Sequence, residues 1–167
     1  MRAPVVLVAF ASETGSTARI AAEIARELRA AGLGVTCRLA AQATALDPYD
    51  ALVLGSGVYV RSRNADGGGF LIRHADAIAG KPVWLYCSGP IGRGRGAGAG
   101  VVTVDRSCTV FEVARAVGAR GAAAFGSLGM DALDDDLAEP VDMARVREWA
   151  REIAAALLGS RLEAVTA

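Results

Sequence analysis

The chain has 167 residues, 53% of them apolar and only 5% aromatic, and its 18 basic and 18 acidic side chains give a formal net charge of zero. That length suits one domain over residues 1–167, with a core of Ala, Val and Leu rather than of rings, and the balanced charge leaves no footprint for nucleic acid. No apolar run reaches the length of a membrane span and the N-terminus lacks the pattern of a signal peptide, so no integral membrane segment is expected.

Cys37, Cys87 and Cys108 are odd in number and show no C-x-x-C spacing, which points to free thiols in a cytoplasmic chain. His74 is the only histidine and Lys81 the only lysine. A single histidine argues against a His-based metal site or triad.

The first element sets the theme. Val5 to Phe10 is a short, continuous apolar run, the pattern of a strand buried on both faces. A polar turn, Ser12-Glu13-Thr14-Gly15-Ser16-Thr17, leads into a helix whose apolar stripe is Ile20, Ala21, Ile24, Ala25 and Leu28. A strand passing through a hydroxyl-rich turn into a helix collects free N–H groups and the positive end of a helix dipole at one point, which suits a phosphate. The nucleoside-triphosphate loop is excluded, because its lysine is missing and Lys81 lies far away. The dinucleotide turn is excluded too, since Gly15 is the only glycine in the turn. What remains is S-x-T-G-x-T, a turn that would wrap a terminal monophosphate with Ser12, Thr14, Ser16, Thr17 and backbone amides. It carries no cation of its own, and Arg19 in the first helical turn is the nearest. The competing reading is a helix start capped by a hydroxyl, with no ligand.

This turn resembles the FMN-phosphate signature of the flavodoxin family, with Phe10, Ser12, Gly15, Thr17 and Ala21 on its constrained positions and Ala9 departing from it. The resemblance implies FMN as cofactor.

Further along, Ala30 to Gly34 reads as a helix stop and Val35 to Leu39 as an alternating edge strand. Asp47 to Asp50 is a turn, and Ala51 to Ser56 a buried third strand. A helix carrying Phe70, Leu71, His74 and Ile78 follows Gly67 to Gly69 and ends at Gly80-Lys81-Pro82. Val83 to Cys87 is the fourth strand, trailed by a glycine-rich stretch to Gly100. Residues 108–117 suit a helix with Val110, Val113, Ala114 and Val117 on one side, and Ala122 to Phe125 a short fifth strand. In the last helix Asp142 is the N-cap, Met143, Val146, Trp149, Ala150, Ile153, Ala154 and Leu157 recur at helical spacing, and Gly159 stands past the end. Strands alternating with helices predict an α/β fold, a flavodoxin-like three-layer sandwich around a five-stranded parallel sheet of order 2-1-3-4-5. The ligand loops are then the ends of the first, third and fourth strands.

After the third strand, Gly55-Ser56-Gly57-Val58-Tyr59 offers glycines that let backbone approach a flat ring and Tyr59 to stack on it, the competing reading being a turn with a core tyrosine; the resemblance implies a peptide at Gly57 for the ring edge. After the fourth, Ser88-Gly89-Pro90 is a tight turn whose amides suit the pyrimidine edge. Cys87 is read as a small core residue. The glycines and arginines of 92–100 lack the helix that a dinucleotide fingerprint requires and read as a surface loop or a lid.

Gly55 to Tyr59, Arg73 to Trp84, Ser88 to Pro90 and Phe125-Gly126 together resemble the flavodoxin-domain group that contains menaquinone-dependent protoporphyrinogen oxidase, although 93–107 matches nothing in it. That resemblance implies two-electron oxidation of a tetrapyrrole precursor or another organic reductant, with a quinone as acceptor at the inner face of the membrane. Arg61, Arg63, Arg93 and Arg95 lie in the loops flanking the expected ring, where positive charge favours an oxidising flavin. The alternatives are a one-electron carrier, which would prefer an acidic face, and a flavin-free interaction module on the same fold.

Overall fold

The computed structural model describes residues 2–11, 15–55, 70–88, 114–115, 117–125 and 141–165. The strands are β1 (Val5–Phe10), β2 (Gly34–Leu39), β3 (Ala51–Gly55), β4 (Val83–Cys87) and β5 (Gly121–Ala124). The helices are α1 (Ser16–Ala30), α2 (Phe70–Arg73), α3 (Ala75–Ile78) and α4 (Met143–Val165), with a 3-10 turn at Ala40–Gln42. All strand pairs are parallel and their order is β2-β1-β3-β4-β5. The order expected from the alternation of elements is therefore the order observed.

Period-two alternation explains why strands that read as continuous apolar runs are buried on both faces. Val6, Val8, Val53, Trp84 and Tyr86 pack with Ile20, Ala21, Ile24, Ala25 and Leu28 of α1 and with Val146, Ala150, Ile153 and Leu157 of α4. Leu7, Ala9, Leu52, Leu54, Leu85 and Cys87 pack on the other face with Leu46, Tyr49, Phe70, Ile78 and Ala114. Every residue of the stripe expected on α1 is fully buried. Cys87 belongs to the core, as expected, and β2 is only half-buried, as an edge strand should be.

Several expectations need correcting. Gly159 does not end the last helix, which continues to Val165. A glycine inside a helix costs only about 1 kcal/mol against alanine, and Ser160 Oγ returns a bond to the Ala156 carbonyl at 2.8 Å. The helix expected through His74 breaks there into α2 and α3, with His74 outside helical geometry and its ring against Phe70 at 4.6 Å between centroids. Val117, expected as the last residue of a helix over 108–117, lies in a turn and is 39% exposed. Asp142 caps α4 as expected, its Oδ1 accepting from the Ala144 amide at 2.9 Å.

At the N-terminal ends of the strands, polar side chains tie the connections down. Lys81 Nζ donates to the carbonyls of Leu46 (3.1 Å) and Tyr49 (2.6 Å). Asp50 accepts from the Val5 amide at 2.7 Å and pairs with Arg2 at 3.0 Å.

α1 and α4 are joined outside the core by charge. Glu23 accepts from Arg26 and from Arg147, and Glu27 from Arg26 at 2.6 Å and from Arg151 at 3.0 Å. Hydrogen bonds from Arg26 and then Arg147 hold the Glu23 carboxyl down at about 2, against an ordinary value of 4.5. A carboxylate depressed in the folded state contributes stability that is complete above its unfolded pKa and is lost as pH falls through the folded one. Glu23→Gln is therefore expected to lose roughly 0.5–1 kcal/mol at pH 7. Urea denaturation at a series of pH values should show the gap between variant and wild type closing between pH 4.5 and about 2. A gap independent of pH would mean that the network contributes nothing through charge.

Candidate functional site

Three of the connections expected to touch a ligand leave the sheet beside the start of α1. β1 ends at Phe10 and the chain re-enters at Gly15, which has φ 87° and ψ −174°, a region essentially reserved for glycine. Gly15 occupies the N-cap position, and among the described residues no side chain caps the helix. Gly15 itself supplies no hydroxyl, and Ser12 and Thr14 of the competing reading, a helix start capped by a hydroxyl, lie outside the described residues. An N-terminus left without a side-chain cap keeps first-turn amides and a positive dipole end directed at one place.

The hydroxyls nearest that end are organised by β4. Thr17 Oγ1 lies 2.6 Å from Ser88 Oγ, so residues 71 apart in sequence share a hydrogen bond across the strand ends. Tyr86, one strand position before Cys87, is fully buried, and its hydroxyl donates to the Thr17 main-chain carbonyl at 3.1 Å. β3 makes room for both. A Cβ on Gly55 would stand 2.7 Å from the Tyr86 hydroxyl oxygen, 2.9 Å from its Cζ and 2.9 Å from Thr17 Cγ2. The first turn of α1 thus rests on β3 through a glycine and on β4 through two hydroxyls.

The Tyr86 ring is fixed from behind by Phe125 and Trp149, each 6.5 Å away between centroids, while those two meet edge to face at 5.5 Å. Burial pushes the phenol far above its ordinary ionisation range, so it remains a neutral donor. Arg19 is exposed on the first turns of α1.

Of the residues expected to bind cofactor, Gly15, Ser16, Thr17 and Ser88 are described, and the structure brings Thr17 and Ser88 into contact. Ser12, Glu13, Thr14, Ser56, Gly57, Val58, Tyr59, Gly89 and Pro90 lie outside the described residues, as do Arg61, Arg63, Arg93 and Arg95. One contributor escaped the sequence reading, and another has neighbours that it did not foresee. Tyr86 looked like one more apolar strand residue, although a buried tyrosine always raises the question of what its hydroxyl bonds. Gly55 was expected to approach a flat ring, and its observed close neighbours are Tyr86 and Thr17.

Both glycines are testable. Gly15→Ala places a side chain in a glycine-only conformation and is expected to cost about 1–3 kcal/mol. Gly55→Ala forces Tyr86 and Thr17 outward and should cost a similar amount, about 1–3 kcal/mol, by overpacking. Chemical denaturation reads both, and stability equal to wild type in either would contradict the geometry.

The fold and the site have known counterparts. Residues 7–108, more than half of the chain, match the flavodoxin domain family. No curated protein sequence matches the chain. Among solved structures, the flavodoxin of Streptococcus pneumoniae TIGR4 superposes with a TM-score of 0.54 at 20% identity, covering 90% of this chain and 98% of that one. A diflavin flavoprotein from Nostoc sp. gives 0.58 at 15% identity, covering 98% and 99%. Rubredoxin oxygen:oxidoreductase from Desulfovibrio gigas gives 0.56 at 16% identity, covering 95% of this chain and 37% of that longer one. At these identities the structural likeness speaks for the fold, and the family match speaks for the cofactor. The chain belongs to the flavodoxin domain family and has the FMN-binding fold of that family.

Proposed function

We propose that this protein is an FMN-dependent oxidoreductase that takes two electrons from a tetrapyrrole precursor of protoporphyrinogen type, or from a comparable organic reductant, and passes them to a quinone. The observation that carries the FMN part is the helix start at Gly15, an N-cap residue that supplies no side-chain cap, with the Thr17 hydroxyl held beside it by Ser88.

The residues fit the cofactor. Gly15, Ser16 and Thr17 would hold the phosphate together with Ser12 and Thr14, because amides and hydroxyls at a helix N-terminus stabilise an anion without a lysine. Ser56 to Tyr59 and Ser88 to Pro90 follow β3 and β4 and would face the ring. When bound, FMN supplies the electron-transfer chemistry, and the chain supplies position and electrostatics. Arg61, Arg63, Arg93 and Arg95 follow β3 and β4 in sequence and would flank the ring. Positive charge there stabilises negative charge added on reduction, which raises the potential and favours uptake of an electron pair. The same guanidinium groups suit carboxylates on a tetrapyrrole edge, which they would grip in bidentate fashion. No helix among the described residues is long and apolar enough to cross a membrane. We place the encounter with quinone at the cytoplasmic surface of the membrane.

Titration of the purified protein with FMN, followed by fluorescence quenching, is expected to give saturable binding that Thr14→Ala with Thr17→Ala weakens by about a hundredfold, two hydrogen bonds to a charged group each contributing about 1.5 kcal/mol. Photoreduction of the complex should then proceed in one two-electron step, and oxidation of protoporphyrinogen should be coupled to quinone reduction. Two resolved one-electron steps with a very low second potential would favour a carrier. Failure to bind FMN would favour an interaction module that has kept only the fold.

A further inference from the structure

Thr17 is held at two separate atoms, and both holds come from β4. Tyr86 reaches the main-chain carbonyl at 3.1 Å, and Ser88 reaches the side-chain hydroxyl at 2.6 Å. A strand residue buried between α1 and α4 needs only a ring to fill that space, and phenylalanine would do so. A hydroxyl in that place has to be satisfied, and here one of its bonds goes to the first turn of α1. For the other hold, proton counting sets what each direction leaves free. Thr17 and Ser88 carry one hydroxyl proton each, and the bond between them uses one. If Ser88 donates, the Thr17 proton is left to point at an anion over the helix start. The chain Ser88 to Thr17 to anion is then polarised in one direction, each bond strengthening the next.

On the reading of this site as the FMN phosphate site, we infer that β4 aims Thr17 at the phosphate: Tyr86 fixes the main chain of the first helical turn, and Ser88 donates to Thr17 Oγ1 so that the threonine proton is left for the ligand. Tyr86 and Ser88 are positioning residues that act through Thr17. The strand that leads into the expected ring-edge turn therefore also sets the phosphate end of the site, which places both ends of the cofactor under one element.

The test compares FMN with riboflavin, which presents the same ring and lacks the phosphate. Affinities for both are measured by fluorescence quenching in the wild type and in Tyr86→Phe, Ser88→Ala, Thr17→Ala and Thr17→Ala with Ser88→Ala, alongside urea stability. Tyr86→Phe and Ser88→Ala are each expected to weaken FMN, the first of them about tenfold, the loss of one hydrogen bond's worth of alignment. In Tyr86→Phe riboflavin affinity should stay at its wild-type value, and in Ser88→Ala FMN should lose about tenfold more affinity than riboflavin does. In the Thr17→Ala background, Ser88→Ala should cause no further loss of FMN affinity relative to riboflavin, because the atom through which it acts on the phosphate is gone. Equal weakening of FMN and riboflavin, unchanged FMN affinity, or an undiminished effect of Ser88→Ala without the Thr17 hydroxyl would each overturn the inference while leaving the phosphate site standing. A wild-type protein that binds FMN no better than riboflavin would overturn the phosphate site itself, and the inference with it. Should Tyr86→Phe fail to fold, the Thr17 and Ser88 cycle decides alone.

Discussion

The contact on which the site depends is the one between the first turn of α1 and the sheet. Helices in this architecture usually meet a sheet through side chains, at a distance that leaves their termini independent of the strands. Here Gly55 removes the side chain between them, Thr17 lies against bare backbone, and the Tyr86 hydroxyl fills the remaining gap while bonding the helix. The position of the helix N-terminus is thereby tied to β3 and β4 rather than left to the turn that precedes it. An anion site made of amides depends steeply on their direction, so a fixed helix start has chemical consequences. Phe125 and Trp149 complete the arrangement by holding the Tyr86 ring from the α4 side.

The two ends of the sheet divide the labour. At the N-terminal ends of the strands, Lys81, Asp50 and Arg2 spend their charges on carbonyls, an amide and one another. On the outer side of α1, Glu23 and Glu27 are consumed by Arg26, Arg147 and Arg151. At the C-terminal ends, by contrast, the described groups around the start of α1 are hydroxyls, amides and glycine. A phosphate there is met by dipoles that need no reorganisation, with Arg19 as an exposed cation nearby. This is why the missing lysine, which excludes a nucleoside-triphosphate loop, does not count against a monophosphate.

Much of this was legible in the chain itself. The continuous apolar runs of β1, β3 and β4 against the alternating pattern of β2 correctly separated buried strands from an edge. The spacing of Ile20, Ala21, Ile24, Ala25 and Leu28 gave the buried face of α1 residue by residue. The S-x-T-G-x-T turn located the helix start, because glycine at that point has a backbone reason to be there. What pattern could not supply was long-range side-chain chemistry. Tyr86 is indistinguishable from its apolar neighbours until β4 is placed beside α1, and nothing in the pattern around Ser88 announces its bond to Thr17. The break at His74 and the helix beyond Gly159 were missed because tertiary packing and local bonding override residue propensity by amounts of about 1 kcal/mol.

The central claim is that the start of α1 holds the phosphate of FMN, and phosphorus NMR of the bound cofactor tests it most directly. A free phosphate monoester takes up its second proton near pH 6, whereas donors that bond only the charged form push that step down, with a pKa of about 6 as reference. The bound resonance is expected to stay at its dianion position as pH is lowered from 8 to well below 6, because backbone amides donate to the dianion and cannot accept from a protonated phosphate. A bound resonance that titrates as free FMN does would show a phosphate left in water, and the helix start would then be a fold feature without a ligand.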